Sequence, residues 1–238
     1  MKPLIGCAGW SVPREYSAAF PAEGTHLQRY ASRFGCVEIN SSFYRPHRLQ
    51  TYVRWADSVP EGFRFSVKIP KAITHTQRLQ DSEALLDEFL AQCAGLGEKL
   101  GCLLVQLPPS LMFEGDVAHA FFDALRTRFS GPVVLEPRHE SWVQAESLLQ
   151  ARHIAQAAVD PSRLSTDSRP RGWQGFSYWR LHGSPKVYYD AYGVDRLQGL
   201  AQALVERGVP SWCVFDNTAG GAAVGDGLTL GQLLGDHR

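Results

Sequence analysis

Eight short runs rich in Val, Ile, Leu, Phe and Trp punctuate this chain, at 4–8, 36–40, 64–69, 102–107, 133–138, 154–160, 176–182 and 211–217. Five of them carry charged or amide residues near their C-terminal ends: Glu38 and Asn40, Lys68, Gln106, Glu136 and Arg138, and Arg180 and His182. In a strand, residues two apart share a face. Each run therefore aims its polar groups one way and its intervening apolar groups the other. Burying an unpaired charge costs several kcal/mol, so five strands that do this at the same end imply that the charges meet one another. The pattern predicts a polar site at one rim of a parallel β-barrel.

Helical periods fill the gaps. Leu27, Tyr30 and Phe34 fall at spacings of three and four within 26–34, and Leu85, Phe89 and Leu96 share a stripe within 82–96. The windows 117–129, 141–152 and 194–207 behave in the same way. Strands alternating with helices predict an α/β fold, either a closed (β/α)8 barrel or a doubly wound sheet. Eight strands, with polar residues on most of them rather than at one switch point, favour the TIM-barrel-like form. The segment 161–175 is rich in Pro, Ser and Arg and has no helical period; it is expected to replace the helix after the sixth strand with a loop. No linker or repeat divides the chain, so residues 1–238 are expected to form one domain.

Composition excludes several classes. The 24 basic and 24 acidic residues balance to zero formal charge, which argues against broad electrostatic binding of nucleic acid. Cys7, Cys36, Cys93, Cys102 and Cys213 are odd in number and form no Cys-x-x-Cys pair, as expected of buried reduced thiols. The opening MKPLIGCAGW has no signal-peptide pattern, and no segment approaches the roughly 20 apolar residues of a membrane span. A cytoplasmic protein with no membrane partner is the expectation.

The runs IGCAGW at 5–10 and VEINSSFYR at 37–45 resemble the opening of the YecE-like family, a widespread group of unknown function. The resemblance continues through WADSVPEGFRFSVKIPKAITH at 55–75, KLGCLLVQLPPS at 99–110, LEPRHESW at 135–142, YWRLHG at 178–183 and VFDNTAGGAA at 214–223. These blocks span nearly the whole chain in the family's order. The resemblance implies a TIM-barrel-like fold with a polar pocket at its C-terminal rim, and no agreed reaction. Two positions depart from the pattern. The family more often reads Glu-Phe-Arg where this chain has Glu136-Pro137-Arg138, and Phe-Asn-Asn where it has Phe215-Asp216-Asn217. The second departure sets Asp216 aside and makes Asn217 the expected ligand contact at that strand end.

Three cations, Lys68, Arg138 and Arg180, are thus expected to converge with the carboxylates Glu38 and Glu136. Lys68 is one of only five lysines and interrupts an apolar strand, where an amine binds an anion, pairs with a carboxylate or has a lowered pKa suited to proton transfer. Glu136, His182 and Lys68 are the expected catalytic residues, with Glu136 and His182 as general base and acid. Glu38, Asn40, Tyr44, His75, Gln106, Arg138, His139, Trp142, Arg180, Tyr189 and Asn217 are the expected binding residues. The aromatics Trp10, Phe43, Tyr44, Trp142, Tyr188, Tyr189 and Tyr192 follow strands, where they would offer stacking faces at the rim. The expected ligand is a small anionic or sugar-like molecule, processed by hydrolysis or isomerisation. A divalent metal held by Glu38, Glu136, His139, His182 and Asp160 is not favoured, because no local ligand spacing is present and three cations would repel it. The competing readings are a metal-dependent phosphodiesterase acting on nucleic acid and a non-catalytic small-ligand-binding protein.

Overall fold

The computed structural model of the protein describes residues 2–162, 164 and 169–236. Each of the eight apolar runs becomes a strand: β1 (Leu4–Cys7), β2 (Cys36–Ile39), β3 (Arg64–Lys68), β4 (Leu100–Gln106), β5 (Val133–Glu136), the pair β6 (Ile154–Gln156) and β7 (Ala158–Asp160), then β9 (Ser177–Leu181) and β10 (Ser211–Phe215). Between β7 and β9 lies a two-residue strand, β8 (Arg171–Gly172). The period-two pattern does not reveal it, because Arg and Gly carry no strand signal. It pairs antiparallel with β6, so the segment expected to be wholly irregular holds a short hairpin-like return. Residues 163 and 165–168 of that segment lie outside the described residues.

The fold is α/β. One sheet has the order β1-β10-β9-β7 and the other β2-β3-β4-β5-β6-β8; apart from β8, every pairing is parallel. The run at 154–160 is divided because it changes partner. β6 lies beside β5 and β7 beside β9, with Ala157 between them. At the other end Ala8, just past β1, bridges to Glu38 in parallel. Gly6 makes that approach feasible: a Cβ there would stand 2.1 Å from the Cys36 carbonyl oxygen.

Helices α1 (His26–Ala31), α2 (Leu49–Asp57), α3 (Glu83–Cys93), α4 (Gly115–Arg128), α5 (Glu146–Ala151) and α6 (Val194–Glu206) occupy gaps between strands, and α7 (Ala222–Asp236) follows the last one. The expected helix at 141–152 begins only at Glu146, because Glu140–Ala145 is a 3₁₀ turn. A ring nitrogen of His139 accepts from the Ser141 N–H and starts that turn. No described helix is long and apolar enough to cross a membrane, and all five cysteines are buried and free.

Strand parity sorts the core into two clusters. Val37 and Ile39, Phe65 and Val67, Leu103 and Val105, Val133 and Leu135, Trp179 and Leu181, and Cys213 and Phe215 pack against the helices. The alternate residues Cys36, Cys102, Leu104, Val134, Ala155, Tyr178, Trp212 and Val214 form the second cluster on the other face. Continuing that second parity to the C-terminal ends gives Glu38, Lys68, Gln106, Glu136, Arg180 and Asp216, all buried. The same face is thus apolar near the strand starts and ionic near their ends.

Candidate functional site

Arg180 stands at the centre of the ionic layer. Its Nη2 donates to Glu38 Oε1 at 2.8 Å and its Nε to Glu38 Oε2 at 3.0 Å; Nη1 reaches Glu136 Oε2 at 3.1 Å. Nη2 also lies 3.0 Å from Asp216 Oδ2. Burial alone would lower the guanidinium pKa, but the carboxylates of Asp216, Glu38 and Glu136 outweigh it and hold the group well above its ordinary value. The Tyr178 hydroxyl donates to Glu38 Oε2 at 2.9 Å and lies 3.1 Å from Ser66 Oγ, which links the ionic layer to the apolar one below.

Glu136 has no idle oxygen. Oε1 accepts from Gln106 Nε2 at 2.9 Å and from Arg138 Nε at 3.0 Å, and His182 Nε2 stands 3.5 Å away. Burial pushes its pKa up, yet Arg180, His182 and Arg138 together hold it well below the usual carboxylate range. His182 faces Asp216, with Nδ1 2.9 Å from Oδ2. A carboxylate only accepts, so Nδ1 carries the proton. Burial favours the neutral ring, but the hydrogen bonds to Asp216 and Glu136 prevail and raise its pKa.

Lys68 differs from every cation around it. It is the last residue of β3 and only 5% exposed, yet it takes part in no ion pair among the described residues. Its Nζ sits 4.1 Å from the centroid of the Phe43 ring. Ser42 Oγ, 2.9 Å from the Ile39 carbonyl and 2.7 Å from that of Lys68, fixes where the side chain begins. Burial first and the Arg180 charge second lower its pKa from 10.5 to about 8, offset in part by Glu38, Glu136 and Asp216. Phe43 also meets His75 edge-on at 4.9 Å. A π-helical turn, Ala72–Thr76, brings His75 there, and burial with the charges of Lys68, Arg138 and Lys71 lowers its pKa to about 4.

These groups border a cavity of ≈ 580 Å³. Of the expected site residues, Lys68, Asn40, Tyr44, His75, Gln106, Arg138, Arg180 and Tyr189 line it. Glu38, Glu136 and His182 are not in its lining; they lie behind Arg180 and Arg138, and Glu136 and His182 border a separate space of ≈ 100 Å³. Arg138 and Tyr188 border both spaces, and Arg138 Nη2 donates to the Tyr188 hydroxyl at 3.4 Å.

Three expected contacts are placed elsewhere. Asn217 turns away: its Nδ2 donates to Asp226 Oδ2 at 2.7 Å and to the Asp190 carbonyl at 2.9 Å. Trp142 is 1% exposed, with Nε1 donating to the Leu111 carbonyl at 2.9 Å, because the 3₁₀ turn drives it into the helix layer. His139 is committed to Ser141, its Nδ1 2.8 Å from Oγ. Among the other aromatics, Trp10 packs on Trp55 and Tyr192 donates to the Asp160 carbonyl at 3.0 Å, so neither reaches the cavity. Asp160 is paired with Arg196 at 2.6 Å, and with His139 also turned aside, the five proposed metal ligands do not assemble. No group of three His, Cys, Asp or Glu among the described residues could hold a metal ion.

Asp216 is the residue the sequence reading missed. Its position departs from the family pattern, but it shares the strand parity of Trp212 and Val214, a signal that puts it on the face of Arg180. Of the aromatics expected at the rim, Phe43 and Tyr188 also stand in the cavity wall, whereas Lys71, at the start of the π-helical turn, carries no such signal.

A family model described as a protein of unknown function, DUF72, matches residues 4–238. The chain belongs to this family. It is 31% identical over 168 residues to the UPF0759 protein YecE of Escherichia coli K12, covering 70% of this chain and 59% of YecE. It is 24% identical over 273 residues to the UPF0759 protein YunF of Bacillus subtilis, covering 97% of this chain and 94% of YunF. Solved DUF72 family structures share the fold. One from Enterococcus faecalis V583 has a TM-score of 0.82 at 21% identity, covering 98% of this chain and 95% of its own. One from Thermotoga maritima MSB8 has 0.81 at 23%, covering 99% and 100%.

Proposed function

We propose that this DUF72 protein is an enzyme acting on a small anionic, hydroxylated molecule, held at the C-terminal rim of a closed, single-domain (β/α)8 barrel. The closed barrel is supported by the handover at Ala157 from β6 to β7 and by the Ala8–Glu38 bridge, which join the two sheets at both ends. Polar residues at the C-terminal ends of parallel strands are the arrangement in which such barrels build active sites.

The functional reading is carried by Lys68, a buried amine with no ion pair among the described residues, in the wall of a cavity whose arginines are already paired. A cation so placed offers its charge to whatever enters. With its pKa near 8, it exchanges a proton close to neutral pH. Glu136 suits a different part from that of general base. A carboxylate held well below its ordinary pKa and hydrogen-bonded on both oxygens is a weak base, and it serves to hold Arg138 and Arg180. Proton transfer during hydrolysis or isomerisation then falls to Lys68, with Arg138 and Arg180 stabilising developing negative charge. His182, backed by Asp216, keeps that frame in place.

Thermal unfolding with phosphate, sulfate and a small hydroxy acid tests the reading. The wild type is expected to gain several degrees with at least one of them and Lys68→Met to gain none. No response from the wild type would overturn the anion site. A response with no turnover of sugar phosphates, followed by NMR, would make this a binding protein rather than an enzyme.

A further inference from the structure

We propose that Lys68 Nζ attacks the carbonyl carbon of a small aldehyde or ketone that also carries an anionic group, and holds it as a protonated Schiff base. This rests on the reading of the cavity as an anion site and names the chemistry of its ligand. A lysine that forms such a bond must face a cavity, escape capture by carboxylates and spend part of its time neutral. Lys68 meets the first two by geometry. It borders the ≈ 580 Å³ cavity, and the acids that would otherwise claim it, Glu38, Glu136 and Asp216, are bound by Arg180 at 2.8, 3.1 and 3.0 Å. Burial and the Arg180 charge supply the third.

The other lysines show the contrast. Lys99 Nζ is spent on the carbonyls of Ala56 and Val59, and Lys186 lies over the exposed Tyr189 ring. The charged and titratable groups around Lys68 are Arg180, Glu38, Glu136 and Asp216, with His75, Arg138 and Lys71 across the cavity; His75 is neutral above about pH 4.

A second unspent group borders the same cavity. Asn40 Oδ1 is buried with no hydrogen-bond partner. An orphaned acceptor on a residue of the cavity wall calls for a donor, and a hydroxyl beside the carbonyl, or the hydroxyl of the carbinolamine, supplies one. Arg138 and Lys71 supply positive charge for the anionic group. The ligand class that satisfies all three is a hydroxylated aldehyde or ketone bearing phosphate or carboxylate. The nitrogen lone pair forms the C–N bond while the carbonyl π pair moves to oxygen, which takes a proton. The nitrogen pair then expels that oxygen as water. One ammonium and one carbonyl become one iminium and one water, so charge and atoms balance.

Borohydride trapping tests this on the intact chain, with glyoxylate and pyridoxal 5′-phosphate as probes and peptide mapping as the readout. One adduct per chain is expected, on Lys68, at least about tenfold above Lys2, Lys71, Lys99 or Lys186. Excess inorganic phosphate should slow it. Adducts spread over the exposed lysines, with Lys68 unmodified, would overturn the inference. If phosphate still stabilises the wild type in that case, the anion site stands and only the covalent step falls. If phosphate has no effect either, both fall.

Discussion

Arg180 and Lys68 are two buried cations of one ionic layer, on β9 of one sheet and β3 of the other, and they are treated in opposite ways. Burial opposes the charge of each. Around Arg180 three carboxylates answer that cost, and the guanidinium becomes a fixed, permanently charged post. Around Lys68 the same carboxylates offset it only in part and none pairs with it, so the amine is left with a lowered pKa over an aromatic ring. Charge density alone therefore does not locate chemistry. The saturated centre holds the frame, and the unsaturated neighbour is where a ligand finds something to bind.

The difference can be broken first at Arg180. Arg180→Met leaves three buried carboxylates without their common cation and is expected to cost about 3–5 kcal/mol, a fall in Tm of about 2–4 °C for each kcal/mol in a chain of this size. A loss below about 1 kcal/mol would show that the network is solvated rather than structural. Lys68→Met should act in the opposite direction. Removing an unpaired, desolvated ammonium is expected to raise stability at pH 7 by about 2 kcal/mol while abolishing the response to anions. A clear loss of stability would reveal a partner for the amine. Glu136→Gln stands between the two, because Arg180 keeps Glu38 and Asp216. It is expected to cost about 2 kcal/mol, the worth of hydrogen bonds to a charged group. Turnover lost with no change in urea midpoint would instead restore Glu136 as the base.

The pH dependence sharpens the contrast with smaller effects. Between about pH 8 and 10.5 the unfolded chain binds a proton at Lys68 that the folded chain does not, so the contribution of this group rises with pH across that window. It runs against the fall contributed by the buried cysteines, whose thiols burial holds above their ordinary value. The stability advantage of Lys68→Met over the wild type should therefore shrink as pH climbs through that window, when unfolding is followed by denaturant at each pH. His182 has the opposite sign. Its raised folded pKa adds stability that is fully present below about pH 6.5 and is lost as pH climbs through the folded value, and His182→Gln should remove that contribution. The smallest effect is expected at Trp142→Phe, which deletes one hydrogen bond and some packing for about 1–2 kcal/mol. It should leave the anion response as in the wild type, and a changed response would bring Trp142 back into the site.

The alternation of apolar and polar residues determined a good deal by itself. A strand repeats every two residues, so Glu38, Lys68, Gln106, Glu136 and Arg180 had to share the parity of the apolar residues before them, and β-strands at all eight runs followed from the same period. Parity could not say which acid meets which base. Arg180 bonds Asp216 because β9 lies beside β10, and it reaches Glu38 and Glu136 across the face from other strands. Nor could it follow the chain past the strand ends. Asp216 and Asn217 are neighbours in sequence, yet one faces Arg180 and the other Asp226; the 3₁₀ turn after His139 sends Trp142 into the core while a π-helical turn sends His75 to the cavity. Those outcomes belong to the tertiary structure, because a side chain beyond a strand takes its direction from turn geometry and from partners distant in sequence, whereas within a strand the backbone's own repeat suffices.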